Sequence, residues 1–337
     1  MYKSICIVLL AVASANWAVA APFNPEHIAA GAKWVIHVDM EALRDTAAGK
    51  MCREKFLNQE KVRKHLDEIC EEIGMDPSED LLGVTMYDTQ LKKEHGVAII
   101  HVRKMDGSRL IAKLNEKEPE NRMLKYKKHE LYLWTKRHHG KEMPVCGTLY
   151  NGRVMIFSRD ALKVIAALDV LDSNSESLND DSRLAGDVRD GAVFLMRGVG
   201  LAESHMLKKC PVLKDSNWLE VVMGANEGTS FASMEVDSGS KDMAKNVKAI
   251  MDGFAALARI KHGKHESFGK MLDGLETAAA GNTLWVEWSA DEEDVINVME
   301  EVQRKMKEHW KGRSKRGDHH KEWKKKLESH VHKWGHK

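Results

Sequence analysis

A strand-and-helix unit occurs twice in this chain, and that repeat constrains the fold more than any other feature. Residues 153–171 and residues 283–302 each pass from a short apolar strand through Ser-x-Asp into an amphipathic helix. The copies match at a constant offset of 131 residues. We interpret the matched Ser as a helix N-cap and the matched Asp as a first-turn residue near the positive end of the helix dipole. The matched residues are Ser158, Asp160, Val164 and Ile165 in one copy and Ser289, Asp291, Val295 and Ile296 in the other.

Earlier segments extend the repeat. Residues 96–114 and 229–250 both read as strand, polar turn and helix, and Val102 matches Val236 at an offset of 134. The strand at residues 34–43 corresponds to residues 192–201 at an offset of 158. The first copy therefore carries about 27 additional residues, which we place mainly in a helical pair near residues 41–74.

The spacing of apolar residues predicts an α+β protein with two similar halves, each an antiparallel sheet with helices on one face. Asn151-Gly152, between two apolar runs, indicates a β-hairpin. Helices are expected over residues 239–261 and 290–310, and the second carries an apolar stripe that we interpret as core packing. Further strands are expected at Leu82–Asp88, Met123–Lys127, Glu130–Thr135, Val145–Leu149 and Leu219–Gly224.

One pattern resembles a known group of proteins. Ile156–Leu201 runs strand, Ser-x-Asp, helix, a polar loop with Ser177-Leu178, and a strand that begins at Gly191-Ala192. With the opening strand Trp34–Asp39, it resembles secreted bacterial proteins of unknown function that have duplicated α+β halves. The resemblance implies a fold and a compartment, and it transfers no active-site residue.

The N-terminus predicts secretion. Residues 1–20 have a positive start at Lys3, a short apolar core, and Ala18-Val19-Ala20 as a cleavage site. We therefore expect a signal peptide at 1–20, a first repeat at 21–185, a second at 186–312 and a basic tail at 313–337, in a secreted or periplasmic protein. No later apolar run reaches 18 residues, so no transmembrane segment is expected in the mature chain.

The mature chain keeps four cysteines, Cys52, Cys70, Cys146 and Cys210. Two disulfides, with three connectivities, and four unpaired thiols both remain open. No CxxC pair is present, so neither a thioredoxin-like site nor a zinc ribbon is indicated.

Motifs for known chemistry are missing from the sequence: it has no phosphate-binding loop, no G-x-S-x-G elbow and no H-E-x-x-H pair. We therefore predict a non-catalytic protein without a cofactor or an identified small-molecule substrate. The alternative is a hydrolase with a site between the two halves, built from His37, Asp39, His101 and Glu235. His37 and Asp39 are expected to point to opposite faces of their strand, which argues against that alternative.

The C-terminal segment is exceptional in charge. Residues 304–337 hold 13 Lys and Arg against 4 Asp and Glu, a net charge of +9, whereas residues 21–303 carry −9. The whole-chain value of +1 thus conceals an acidic body and a basic end. Six histidines and three tryptophans lie in this segment.

Three interpretations of the tail are open. The first is a basic helix with a Trp-bearing stripe that tethers the protein to an anionic membrane, a cell-wall polymer or nucleic acid. Its binding residues are Lys321, Trp323, Lys324, Lys325, Lys326 and Trp334.

The second is transition-metal capture by histidine, for which the candidates are His319, His320, His330, His332 and His336. The third is a solvated tail, or one folded back on the acidic body. Acidification should strengthen binding to an anionic surface, because histidine gains charge below about pH 6.5, and should weaken metal binding.

Overall fold

A computed structural model describes residues 22–91, 96–138, 140–203, 215–262 and 266–305 of the protein. The strands within these ranges form one twelve-stranded antiparallel sheet. They are β1 Trp34–Asp39, β2 Leu81–Asp88, β3 Val97–Val102, β4 Arg122–Tyr126, β5 His129–His138, β6 Lys141–Tyr150, β7 Val154–Ser158, β8 Ala192–Val199, β9 Trp218–Asn226, β10 Thr229–Asp237, β11 Leu275–Ala280 and β12 Thr283–Asp291.

The helices lie between and beside these strands. They are α1 Met40–Asp45, α2 Ala47–Cys52, α3 Glu60–Ile73, α4 Pro77–Asp80, α5 Gly107–Lys117, α6 Ala161–Leu171, α7 Lys241–His262, α8 Glu266–Asp273 and α9, residues 292–305. Among the described residues, no helix is long and apolar enough to cross a bilayer.

Strands β1 and β8 pair at the centre of the sheet, and the strand order runs outward from them in a similar way on both sides. The order is β1-β2-β3-β7-β6-β5-β4 in one direction and β8-β9-β10-β12-β11 in the other. On each side a helix follows the third strand, α5 after β3 and α7 after β10. The strands from both sides form a single continuous sheet.

One face of the sheet, which we call the α6 face, carries the largest apolar core. Val35 of β1, Ile99 of β3 and Ile156 of β7 have no exposed surface. Val164 and Leu168 of α6 pack on them and are equally buried. Alternation along the strands brings these side chains to the same face, as β1 illustrates: Val35, His37 and Asp39 are buried, and the residues between them are only partly buried.

The opposite face, which we call the α7 face, is covered by other helices. In the first half Ile73 of α3 and Leu110 of α5 pack near Val102. In the second half Val247 of α7 packs against Leu284. A row of directly opposed residues runs across the sheet from Met155 of β7 to Trp288 of β12. Directly opposed residues project to the same face, so these helices all cover one face of the sheet. The expectation of helices on one face is wrong for the first half, because β3 and β7 are apolar on both sides and need cover on both.

Local signals for strands and turns are confirmed. All five additional strands are present within one to three residues of the expected ends, apart from the longer β6. Asn151 and Gly152 have positive φ values of 49° and 74° in the turn between β6 and β7. Asn and Gly are the residues that tolerate this left-handed conformation, which is why the dipeptide predicted a hairpin.

Two interpretations in the repeat are wrong. The N-cap of α6 is Asp160, whose carboxylate accepts a hydrogen bond from the Leu162 N–H at 2.9 Å. Ser158 is the last residue of β7 and donates to the Gly96 carbonyl instead. In α9 the apolar stripe up to residue 305 is half-buried rather than core, and Val302 is 47% exposed; the rest of the stripe, Met306 and Trp310, lies outside the described residues. The helix contacts α2 through a hydrogen bond from the Ala47 N–H to Glu292, at 2.9 Å.

The described cysteines carry no disulfide: Cys52, Cys70 and Cys146 are free thiols. Cys210 lies outside the described residues. Cys146 is buried in the core of the α6 face, where it packs as a small apolar side chain.

Candidate functional site

The residues expected to bind an anionic surface lie outside the described residues. This holds for Lys321, Trp323, Lys324, Lys325, Lys326 and Trp334, and for the histidines His319, His320, His330, His332 and His336. In the described ranges, no group of three His, Cys, Asp or Glu side chains is placed to hold a metal ion.

His37 and Asp39 share one face of β1 and line the same small cavity. The expectation that they point to opposite faces is wrong, because residues two apart on a strand project to the same side. The cavity has a volume of about 220 Å³ and is also lined by Phe23 and Arg189. His37 Nδ1 lies 2.9 Å from the Thr85 hydroxyl.

Asp39 has a structural role at the edge of this cavity. Its carboxylate accepts a hydrogen bond from the Ala42 N–H at 2.8 Å and caps α1. Burial raises the pKa of the Asp39 carboxyl, and hydrogen bonds from the Ala42 and Glu41 N–H groups oppose that rise. Because the cap uses the carboxylate form, this geometry favours helix capping over proton transfer.

The other two hydrolase candidates lie elsewhere. His101 stacks on His27 with the ring centroids 5.5 Å apart. Burial lowers the pKa of the His101 imidazole to about 4, and the electrostatic effect of the neighbouring His27 is a smaller cause in the same direction. Glu235 forms an ion pair with Arg183 at 2.9 Å. Neither His101 nor Glu235 lines the His37 cavity, so the structure does not bring the four candidates into one site.

A larger cleft lies beside the β4–β5–β6 end of the sheet. Its volume is about 890 Å³, and Trp134, Cys146 and Arg159 are among its lining residues. Burial raises the pKa of the Cys146 thiol to about 11, so the nucleophilic thiolate is scarce at neutral pH. Acidic and basic side chains both line the cleft, and they do not select one sign of ligand charge.

A buried arginine was missed by sequence reasoning. Arg197 of β8 is 2% exposed and forms an ion pair with Glu220 at 2.6 Å. Its guanidinium also donates to the carbonyls of Gly186 and Asp187, at 2.6 and 2.7 Å. A lone arginine inside the apolar run AVFLMRGV was the available signal. Arg197 therefore connects the loop before β8 to the sheet by hydrogen bonds, and its role is structural.

Helix α7 carries four large apolar side chains on its outer surface, which we call the α7 stripe. The exposed fractions are 56% for Ile250, 68% for Phe254, 62% for Leu257 and 79% for Ile260. Spacings of four, three and three residues place them along one side of the helix, over about 15 Å. The sequence predicted this helix and left the exposure of its apolar residues unspecified.

The charges of α7 differ from those of the surrounding body. The helix holds five Lys and Arg against two Asp, a net charge of +3. The rest of residues 21–303 carries −12. Lys241, Lys245 and Lys261 are exposed. The α7 stripe is therefore an apolar row on a basic element of an otherwise acidic body.

Comparisons with known proteins give a distant structural likeness. No family model matches the chain, and no curated protein matches it. Crystal form I of TP0453 has a TM-score of 0.45 and 8% identity, and covers 83% of this chain and 97% of its own. Crystal form III has a TM-score of 0.44 at the same identity, and covers 83% of this chain and 99% of its own.

Proposed function

We propose that this is a secreted or periplasmic, non-catalytic interaction protein, held at an anionic surface by its basic tail. The observation that carries the proposal is the separation of charge, −9 on residues 21–303 and +9 on residues 304–337. Lysines attract phosphate and carboxylate groups, while tryptophan is suited to the boundary between water and lipid. Helical spacing would align Trp323 and Trp334 along one side, with Lys324, Lys325 and Lys326 around the rest.

The body is proposed to be a scaffold of two duplicated halves. The similar strand order on the two sides of β1 and β8 supports this idea, as do the constant sequence offsets. The extra residues of the first half fall where helices α1–α4 separate β1 from β2. Between β8 and β9, the corresponding connection contains 18 residues instead of 41.

The tether is tested with the mature protein, starting at residue 21, and a variant that lacks residues 313–337. Both are sedimented with phosphatidylcholine vesicles, with and without phosphatidylglycerol, over a range of salt concentrations. We expect the mature protein to bind the anionic vesicles, to be released by salt, and to lose most of this binding when the tail is deleted. Equal binding by the two proteins would contradict the tether.

A charge-matched comparison separates the tail from a general effect of positive charge. Lys324, Lys325 and Lys326 are changed together to Gln. The control changes three lysines of the body, Lys50, Lys61 and Lys64, which are exposed. At about 1 kcal/mol per lysine near an anionic surface, we expect affinity to fall roughly a hundredfold in the first variant only.

The pH dependence of tail-dependent binding distinguishes the tether from metal capture. Protonation of the tail histidines below about pH 6.5 should strengthen binding to the anionic vesicles. Zn²⁺ binding by the same histidines would weaken in that range, since protonated imidazole does not coordinate a metal. Tail-dependent Zn²⁺ binding without vesicle binding would favour the metal alternative.

A further inference from the structure

The α7 stripe is an apolar surface that the described part of the fold leaves uncovered. Single exposed apolar residues are common on proteins, but four in one row form a continuous patch. A neighbouring side of α7 packs on the sheet: Ala244, Val247 and Ala255 are buried, and Val247 clusters with Leu284 and Val286. Because that contact uses a different side of the helix, the stripe can meet a partner without α7 leaving the body.

The charges around the stripe indicate the kind of partner. Lys261 lies on the same side of the helix as the stripe, whereas Lys241 and Lys245 precede Ile250 by nine and five residues and lie on other sides of α7. Other charges of α7 are engaged within the fold. Lys248 pairs with Asp252 at 2.6 Å, and Arg259 donates to the Leu272 carbonyl at 2.7 Å. Lys261 beside the stripe and the net charge of +3 on α7 favour a negatively charged partner.

We propose that the α7 stripe docks on an anionic phospholipid bilayer, with its apolar side chains among the acyl chains and Lys261 at the phosphates. An exposed apolar row on a helix of net positive charge is typical of helices that lie in the membrane interface. The basic C-terminal segment of this chain is a poor alternative occupant, because its +9 charge is repelled by α7. The inference rests on the proposed function for the anionic surface, and it adds a second contact made by the body.

The experiment combines an α7 variant with the tail deletion. Phe254→Glu together with Leu257→Glu removes half of the stripe and adds negative charge. The matched control is Leu162→Glu on α6, where a lone leucine is 72% exposed. All these side chains are exposed, so the variants should fold, and circular dichroism checks this. Vesicle binding is measured as for the tail, with the tail present and absent.

We expect the double variant to bind phosphatidylglycerol-containing vesicles about tenfold or more weakly than the parent, and Leu162→Glu to bind as the parent does. Residual binding of the tail-less protein should disappear in the α7 variant. Unchanged binding of the α7 variant overturns the inference, whatever the tail deletion does. Loss with the α7 variant and no loss with the tail deletion contradicts the tether alone.

A second measurement reports insertion directly. Phe254→Trp places a fluorophore in the stripe, and its signal is the difference spectrum against the parent protein. We expect a blue shift when anionic vesicles are added, and no shift for Leu162→Trp. No shift at position 254 overturns the inference. The same holds if light scattering shows a dimer that Phe254→Glu dissociates, because the stripe would then bind a second copy of the chain.

Discussion

At the residue scale, the stacked imidazoles of His27 and His101 make the stability of the fold depend on pH. Burial lowers the pKa of both histidines, that of His101 to about 4. Both rings are therefore neutral in the folded protein at pH 7. The unfolded chain takes up their protons first as the pH falls, since the ordinary pKa is about 6.5.

We expect the stabilising contribution of the neutral imidazoles to the free energy of unfolding to be complete above about pH 6.5 and to be lost as the pH falls towards 4. His101 contributes at most about 2 kcal/mol after allowance for solvent screening at its exposed part. Urea unfolding at pH 7 and pH 5 measures the loss. His101→Phe keeps a ring in the stack and should reduce the loss. His65→Asn is the control, because the His65 side chain is 73% exposed; equal losses in all three proteins would contradict the assignment.

At the scale of single elements, α6 and α9 follow matched strands but make different contacts. Helix α6 has Val164, Ala167 and Leu168 fully buried against the sheet. The apolar stripe of α9 is half-buried, although the two sequences look alike. Apolar periodicity predicts which side of a helix turns inward, but it does not specify what the helix packs on.

The same limit explains which parts of the fold and the site were predictable. Strands, the Asn151-Gly152 turn and helix α7 follow from local patterns, and all are confirmed. Cover on both faces of β3 and β7 was missed although their sequences, VAIIHV and VMIFS, are apolar at nearly every position, a pattern typical of strands buried on both sides. The α7 stripe was missed for a different reason, because burial and exposure of apolar residues look identical in a sequence.

The packing of α6 on the sheet can be tested by comparing a buried leucine and an exposed leucine of that helix. Leu168→Ala removes a side chain with no exposed surface from the core of the α6 face. We expect it to lower the free energy of unfolding by about 2–5 kcal/mol. Leu162→Ala on the same helix, at 72% exposure, should change it by less than about 0.5 kcal/mol. Similar costs for the two variants, measured by urea denaturation, would mean that α6 is packed differently.

At the scale of the whole molecule, the two proposed halves share structure at their junction. Strands β1 and β8 pair over five residues, from Trp34↔Gly198 to Val38↔Phe194. The core of the α6 face also crosses the junction, since Trp218 of β9 belongs to the same buried cluster as Val35. Separating the halves would expose the edges of both central strands and part of this core.

We therefore expect the two proposed halves to unfold together in one transition. Scanning calorimetry should give equal calorimetric and van't Hoff enthalpies, and fluorescence and circular dichroism should report the same midpoint. Leu168→Ala in the first half should lower that single midpoint and should not split the transition, because unfolding the first half removes the strand partner of β8. Two separate transitions, with only one shifted by Leu168→Ala, would show that the β1–β8 junction does not couple the halves.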